Sequence, residues 1–267
     1  MNICVDVGNS TIGIGAYKDN KLVERLTFNT DDRLTDDEFY LLFKKSFNEL
    51  GLKATEVSNV IFSSVVPQVN LPLMTALKQL FNKEPILIGP GTKTGLSIKV
   101  DNPMEIGNDL IADLVSAKEK YNYPCIIADL GTASKILLLD KTGTFSACLI
   151  MPGLTLSALS LSNKAALLPE VSLIAPKTVI AKNTLSAMNA GIVYGHADMI
   201  SGLINRLEKE IGYPCKHILT GGGAVYVKEI LGWCTYVAPS GQVLWLVHGI
   251  QQQGQPSSYS VFPVRMA

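Results

Sequence analysis

Three stretches of the chain end an apolar run in a turn built from glycine and small polar residues: "ICVDVGNSTIGIGAY", "IIADLGTASKILLL" and "HILTGGGA". In the first, Asp6 is followed by Gly8, Asn9, Ser10 and Thr11; in the second, Asp129 is followed by Gly131 and Thr132. A strand that turns back on itself through such residues leaves backbone N–H groups pointing outward, an arrangement suited to an anion such as phosphate. Glycine permits close approach or positive φ, and the hydroxyls add donors. An acid beside phosphate becomes sensible once a cation is added, because a carboxylate can hold Mg²⁺ or its waters while the ion bridges phosphoryl oxygens. Asp6 then stands on the metal side of the turn. The same string is also that of a simple hairpin with an Asx-type hydrogen bond. Its repetition favours the phosphate reading. In the third stretch, Gly221, Gly222 and Gly223 lead into a helix-like run, a place for phosphate or ribose contacts, or a plain helix-entry loop.

A further acid, Asp109 in "NPMEIGNDLIADLV", falls at the start of a helical pattern, where the helix dipole and free N–H groups favour its ionised form. It could orient a hydroxyl or take its proton during phosphoryl transfer, or serve as no more than a dipole partner. Glu105 and Asp113, four residues to either side, read as solvated. Rival phosphate motifs fail on spacing: "GPGTKTG" lacks the glycine that a Walker sequence places before Lys93-Thr94, and no G-x-G-x-x-G lies between a strand and a helix.

The elements that must position these residues follow from periodicity. "NICVDV", "TIGIGAY" and "KLVERLTFNT" read as three successive strands, the latter two hinged at Asp19-Asn20. "TDDEFYLLFKKSFNEL" carries Phe39, Leu42, Phe43, Phe47 and Leu50 at helical spacing, with Thr35 and Glu38 as a capping box and Gly51 as its stop. Strand "NVIFSSVVP", helix "VNLPLMTALKQLF" and strand "PILIG" continue an α/β alternation, and a helix is expected from about Met104. The pattern then restarts at "CIIADLGTASKILLLD", with Asp129 lying 123 residues after Asp6. An internal repeat of this length implies two related lobes. The second lobe continues through strand "TFSACLIMPG", helices near 154–162 and 183–212, strand "HILTGGG" and a helix over 224–231. The lobes are expected to divide near residues 115–122.

Composition narrows the partners. The 267 residues are 47% hydrophobic, with 23 basic and 23 acidic side chains and a formal net charge of zero. Such balance argues against nucleic acid or an anionic membrane and for a small-molecule partner. The five cysteines form no C-x-x-C pair, which reads as buried thiols in a reducing cytoplasm. No apolar run approaches the roughly 18 residues of a membrane span. His196, His217 and His248 lack ligand spacing with any cysteine and read as ordinary surface or core residues.

Taken in order, "DVGNS", "SSVVP", "GPGTKTGL", "NPMEIGND", "DLGTAS", "MPGL", "KNTLSAMNAGIVYG" and "TGGGA" resemble the motif series of the type III pantothenate kinases, members of the actin, hexokinase and Hsp70-like ATPase superfamily. The resemblance spans roughly residues 2–232. It implies an α/β fold of two duplicated ribonuclease H-like lobes with a cleft between them, here 1–118 and 119–267, and ATP-dependent phosphorylation of pantothenate on the way to coenzyme A. Carried over, it makes Asp109 the general base and puts Asp6, Gly8, Asn9, Ser10, Thr11, Gly131, Thr132, Gly221 and Gly222 around ATP. Gly107, Asn108, Asp109, Leu110, Val100 and Thr184 would meet pantothenate. Asp6 would lie on the Mg²⁺ side, Asp129 would bind a monovalent cation, potassium or ammonium, and the protein would be a cytoplasmic homodimer.

Several positions depart from the family pattern. Leu110 stands where an arginine usually follows the base, Val100 where a tyrosine is usual, and Ala147-Cys148 replace a Gly-Gly pair. Ala165 replaces a threonine, and Lys135 a small hydroxyl residue. Residues 235–267 form a Gln-, Ser- and Pro-rich tail in place of an acidic, leucine-rich helix, one that would not readily pack as a helix. A ligand-binding or regulatory relative, or a kinase for an acceptor lacking a carboxylate, are the alternatives these changes leave open.

Overall fold

The computed structural model describes residues 1–232, apart from Asn20, Pro90, Gly91 and Ala166, together with residues 236 and 237. Apart from those two, the tail reading of residues 235–267 lies outside the described residues.

The opening meander forms as its period-2 pattern requires: β1 (Asn2–Val7), β2 (Thr11–Lys18) and β3 (Lys21–Asn29). Helix α1 (Asp36–Glu49) begins at the expected capping box, with Thr35 accepting from the Glu38 backbone and Glu38 reaching back to Thr35, and Gly51 beyond its end takes φ of 68°. β4 (Asn59–Ser64), α2 (Pro67–Phe81) and β5 (Ile86–Leu87) complete a five-stranded sheet of order β3-β2-β1-β4-β5. The chain then passes to the second sheet, where β6 (Ser97–Ile98) lies on an edge, and into α3 (Asn108–Tyr121). The expected helical start near Met104 is instead a short 3₁₀ turn, Pro103–Glu105, capped by Asn102, and α3 proper begins five residues after Pro103.

The second meander is β7 (Cys125–Leu130), β8 (Ala133–Leu139) and β9 (Thr144–Pro152), followed by α4 (Leu154–Lys164), α5 (Thr184–Ile211), β10 (Lys216–Thr220), α6 (Ala224–Leu231) and β11 (Tyr236–Val237). Its sheet runs β11-β10-β7-β8-β9-β6. Read from β9, the order β9-β8-β7-β10-β11 repeats β3-β2-β1-β4-β5 strand for strand, and in each sheet the first strand pairs antiparallel with the second and parallel with the fourth. The repeat legible in "DVGNS" and "DLGTAS" is thus a duplication of whole lobes.

Alternation along the strands fixes which face each acid takes. Ile3, Val5 and Val7 of β1 pack with Phe39, Phe43 and Phe47 of α1 and with α2, while Cys4 joins a separate core built around α3. Asp6, two residues after Cys4, therefore faces the α3 side. In the second sheet Ala128, Leu130, Ile136 and Leu138 pack toward α4, α5 and α6, whereas Ile127, Leu137 and Leu139 join the α3 core. Asp129 and Lys135 share that inner face by the same count. Helix α3 lies between the sheets, its apolar residues forming one core cluster with Ile61 of β4 and Ile88 just past β5 on one side and Cys125 and Ile218 on the other. Its first turn reaches the seam where β1 and β7 end.

Candidate active site

The two acid-bearing turns meet across that seam. Ser10 Oγ lies 3.4 Å from Thr132 Oγ1, so the hydroxyls of both turns border one opening. The first turn is closed by Gly8 N–H donating to Thr11 O at 2.9 Å, and Thr30 Oγ1 donates to Gly8 O at 2.6 Å. The second is braced by other glycines. Gly153 N–H donates to Thr132 O at 3.1 Å, and a Cβ on Gly153 would collide with the carbonyls of Gly131 and Thr132. Gly221 takes φ of 88°, and a Cβ there would fall 2.5 Å from Leu130 N and 2.6 Å from Asp129 Oδ1. These contacts explain the glycines of "MPGL" and "TGGG": both motifs rest on the end of β7. Gly222 is exposed, and a Cβ added there would meet nothing within 4 Å.

Asp109 occupies the first turn of α3, next to the cap residue Gly107, and its Oδ1 accepts the Leu110 backbone N–H at 2.9 Å. Asn108 Nδ2 donates to Ser64 O at 3.0 Å, tying the start of α3 to the end of β4. The helix thus holds the base candidate at the seam by its own N-terminus and by this hydrogen bond to the end of β4.

Lys135 is the side chain that joins the acids. Its Nζ donates to Asp109 Oδ2 at 2.6 Å and to Asp129 Oδ2 at 3.0 Å, with the ammonium side chain 17% exposed and the two carboxylates 25% and 14%. The β7–β8 register sets this up, because Asp129 and Lys135 are direct cross-strand partners on one face. Burial works against the charged Lys135, but Asp129 and Asp109 outweigh it and hold the ammonium's pKa above its ordinary value. Asp129 is raised by burial, partly offset by Lys135. Asp6 is pushed up to about 6, chiefly by burial and then by the charges of Asp109 and Asp129. Asp113, expected to be solvated, is half-buried on α3; burial, then Asp129, Asp109 and Asp6, drive its carboxyl well above the usual range. The expectation for Asp113 fails because α3 turns that face inward, toward the sheets. Glu105 is exposed, as expected, and accepts from Asn102 Nδ2 at 2.6 Å.

Comparison with known sequences shows the family of the chain. Residues 2–206 match the family described as Type III pantothenate kinase. The chain belongs to that family. A type III pantothenate kinase of an Exiguobacterium species is 40% identical over 229 residues, covering 86% of this chain and 90% of the relative. One from Halalkalibacterium halodurans is 36% identical, covering 83% and 87%. In fold, the chain resembles a solved structure from Sinorhizobium meliloti described as a candidate 2-dehydro-3-deoxygalactonokinase, with TM-score 0.55 at 10% identity and coverage of 98% and 100%.

Three of the positions that depart from the type III pantothenate kinase pattern gather in one neighbourhood. Leu110 is buried in the α3 core, and Val100 and Cys148 pack against the same cluster. Burial raises the Cys148 thiol pKa, with Lys135 and Asp109 close enough to act on it. Ala147 points to the opposite core, toward α4 and α5, as alternation along β9 demands. Thr184 stands exposed at the start of α5, behind the cap residue Asn183, with no side-chain hydrogen bond among the described residues. Lys135 was visible in the sequence only as an unusual residue. A count across the Gly131-Thr132 turn would have set it opposite Asp129. His196, one of the histidines read as ordinary, is a buried core residue bonded to Ser134 Oγ at 2.8 Å.

Proposed function

We propose that this chain transfers the γ-phosphoryl group of ATP to the terminal hydroxyl of pantothenate, the first step toward coenzyme A, with Asp109 as general base. The observation that carries the reading is the delivery of the Asp109 carboxylate, by the N-terminus of α3, to the seam where Ser10 and Thr132 face each other. Gly8, Asn9, Ser10, Thr11, Gly131 and Thr132 supply N–H groups and hydroxyls to the phosphates, and Gly221 and Gly222 border the nucleotide. Asp109 orients the acceptor hydroxyl and receives its proton as the O–P bond forms, in a reaction that depends mainly on position and charge neutralisation. Gly107, Asn108, Val100, Leu110 and Thr184 border the acceptor.

The Asp6 side of the seam suits Mg²⁺. Its cross-strand partner Gly13 carries no side chain, and neighbouring carboxylates disfavour its charge, a cost that a cation relieves. No group of three His, Cys, Asp or Glu side chains among the described residues could enclose a metal, so Asp6 would hold the ion together with groups of the substrate and water, as is usual for Mg²⁺. Bound there, Mg²⁺ would neutralise charge on the phosphoryl oxygens. The residues at Asp129 do not suit a second, monovalent ion, because the Lys135 ammonium already contacts that carboxylate.

The wider reading is of lobes divided as 1–118 and 119–267, a homodimer, and a cytoplasmic location. Among the described residues no helix is long and apolar enough to cross a membrane. Incubation of the purified protein with ATP, Mg²⁺ and pantothenate, with mass spectrometry of the products, tests the assignment. Phosphopantothenate is expected, with little product from pantothenyl alcohol, which lacks the carboxylate. Equal turnover of both would favour an acceptor without a carboxylate, as the buried Leu110 in place of an arginine suggests. No product from either would overturn the kinase reading.

A further inference from the structure

We propose that Lys135 is a tethered replacement for a dissociable monovalent cation, so that this protein works without potassium or ammonium and acquires a need for one when the lysine is removed. Three observations on β7, β8 and α3 carry it. First, the register makes Lys135 the direct partner of Asp129, while the equivalent acid of the other lobe, Asp6, faces Gly13. Of the two acids, Asp129 has an ammonium in direct contact among the described residues, whereas Lys135 and Arg25 act on Asp6 only through their charge. Second, one ammonium spans two acids from different elements, at 2.6 Å to Asp109 on α3 and 3.0 Å to Asp129 on β7. Such bridging is the work a monovalent cation would perform between two carboxylates. Third, the group is 17% exposed and held on both sides, so a free ion would have to break two charge-assisted hydrogen bonds to enter.

A covalently held ammonium is present at high effective concentration whatever the surrounding salt. It contributes one positive charge and directional N–H donors. By bridging Asp109 and Asp129 it limits their repulsion and fixes the rotamer of Asp109. Lys135 is therefore a positioning residue that acts through Asp109. The changes at Val100, Leu110 and Cys148 in the adjoining core accord with a neighbourhood remodelled around this side chain.

What the cation serves rests on the phosphoryl-transfer reading, but its presence does not, so the test has a binding arm and an activity arm. Thallous ion, a spectroscopic stand-in for potassium, is titrated into wild type, Lys135→Thr and Lys135→Arg, followed by thallium NMR and by melting temperature. Wild type and Lys135→Arg are expected to bind no thallous ion at the seam. Lys135→Thr is expected to bind it and to gain melting temperature in potassium relative to tetramethylammonium. In turnover, wild type should change by less than about two-fold between these salts, and Lys135→Thr should lose about ten-fold or more in tetramethylammonium and recover with potassium or ammonium. Potassium-dependent wild-type turnover, or thallous binding by wild type, would overturn the proposal. So would a folded Lys135→Thr that neither binds thallous ion nor responds to salt. If Lys135→Thr does not fold, the wild-type salt response and thallium titration still decide. Absence of turnover in every variant would count against the kinase reading and leave the binding arm to decide this one.

Discussion

The two acid-bearing turns share a backbone plan and differ in what stands across from the acid. Asp6 pairs with Gly13, and Asp129 pairs with Lys135. The first is a carboxylate whose charge is disfavoured by burial and by its acidic neighbours, and the second a carboxylate already matched to an ammonium. The bracing differs as well: the first turn is tied to Thr30, through its hydroxyl to Gly8 O and its N–H to Ser10 O, while the second is clasped by Gly153 and Gly221. Duplication supplies a symmetric scaffold. Side chains at one cross-strand position then differ, and in the proposed function this leaves the first turn to accept an external cation while Lys135 serves the second.

The most forceful way to break this contrast is to make the first turn resemble the second. Gly13→Lys would aim an ammonium at Asp6, and a Cβ at Gly13 meets nothing closer than the Asp6 carbonyl at 4.0 Å, so the variant should fold. Phosphoryl transfer is expected to fall by about 10²-fold or more, with a raised Mg²⁺ requirement, because removal of a preorganised charge at such a site typically costs that much. Steady-state kinetics over a Mg²⁺ series checks this.

Unequal bracing gives a second, smaller contrast. Gly153→Ala drives a methyl into two carbonyls of the second turn and should cost about 3 kcal/mol by urea denaturation, whereas Gly8→Ala, whose Cβ would meet Thr11 O at 3.3 Å, should cost about 1 kcal/mol or less. Equal losses would mean that the turns are braced alike.

A third contrast is in pH. The Asp6 pKa is raised in the folded protein, to about 6, so the native state holds this proton more tightly than the unfolded chain. Its ionisation therefore weakens folding as pH rises from about 4 to 6, a penalty fully present above that window. In metal-free protein Asp6→Asn is expected to leave stability nearly unchanged at pH 4 and to raise it by about 2 kcal/mol at pH 7.5. Chemical denaturation at the two pH values measures the difference.

Much of this was legible because it is local. Alternation marked the strands, Thr35 and Glu38 marked the start of α1, and the recurrence of Asp-x-Gly 123 residues apart marked the duplication. Asp109 was recognisable as a helix-start acid for the same reason. Less accessible were properties set by how elements dock. Asp113 looked like a solvated acid until α3 lay between two sheets, and the burial of Leu110 in the α3 core depends on the same docking. Lys135 is the instructive case. Its partner Asp129 could have been found from the hairpin count alone, but its second partner, Asp109, comes from another element and required the fold.

The central claim is that Asp109 handles the acceptor's proton at a seam where both turns hold ATP. Turnover of pantothenate by Asp109→Asn against wild type, each verified as folded, tests it most directly. The account predicts a kcat lower by about 10²- to 10⁴-fold, the range of a lost general base, with the KM for ATP little changed. An Asp109→Asn protein that forms phosphopantothenate at the wild-type rate would contradict it.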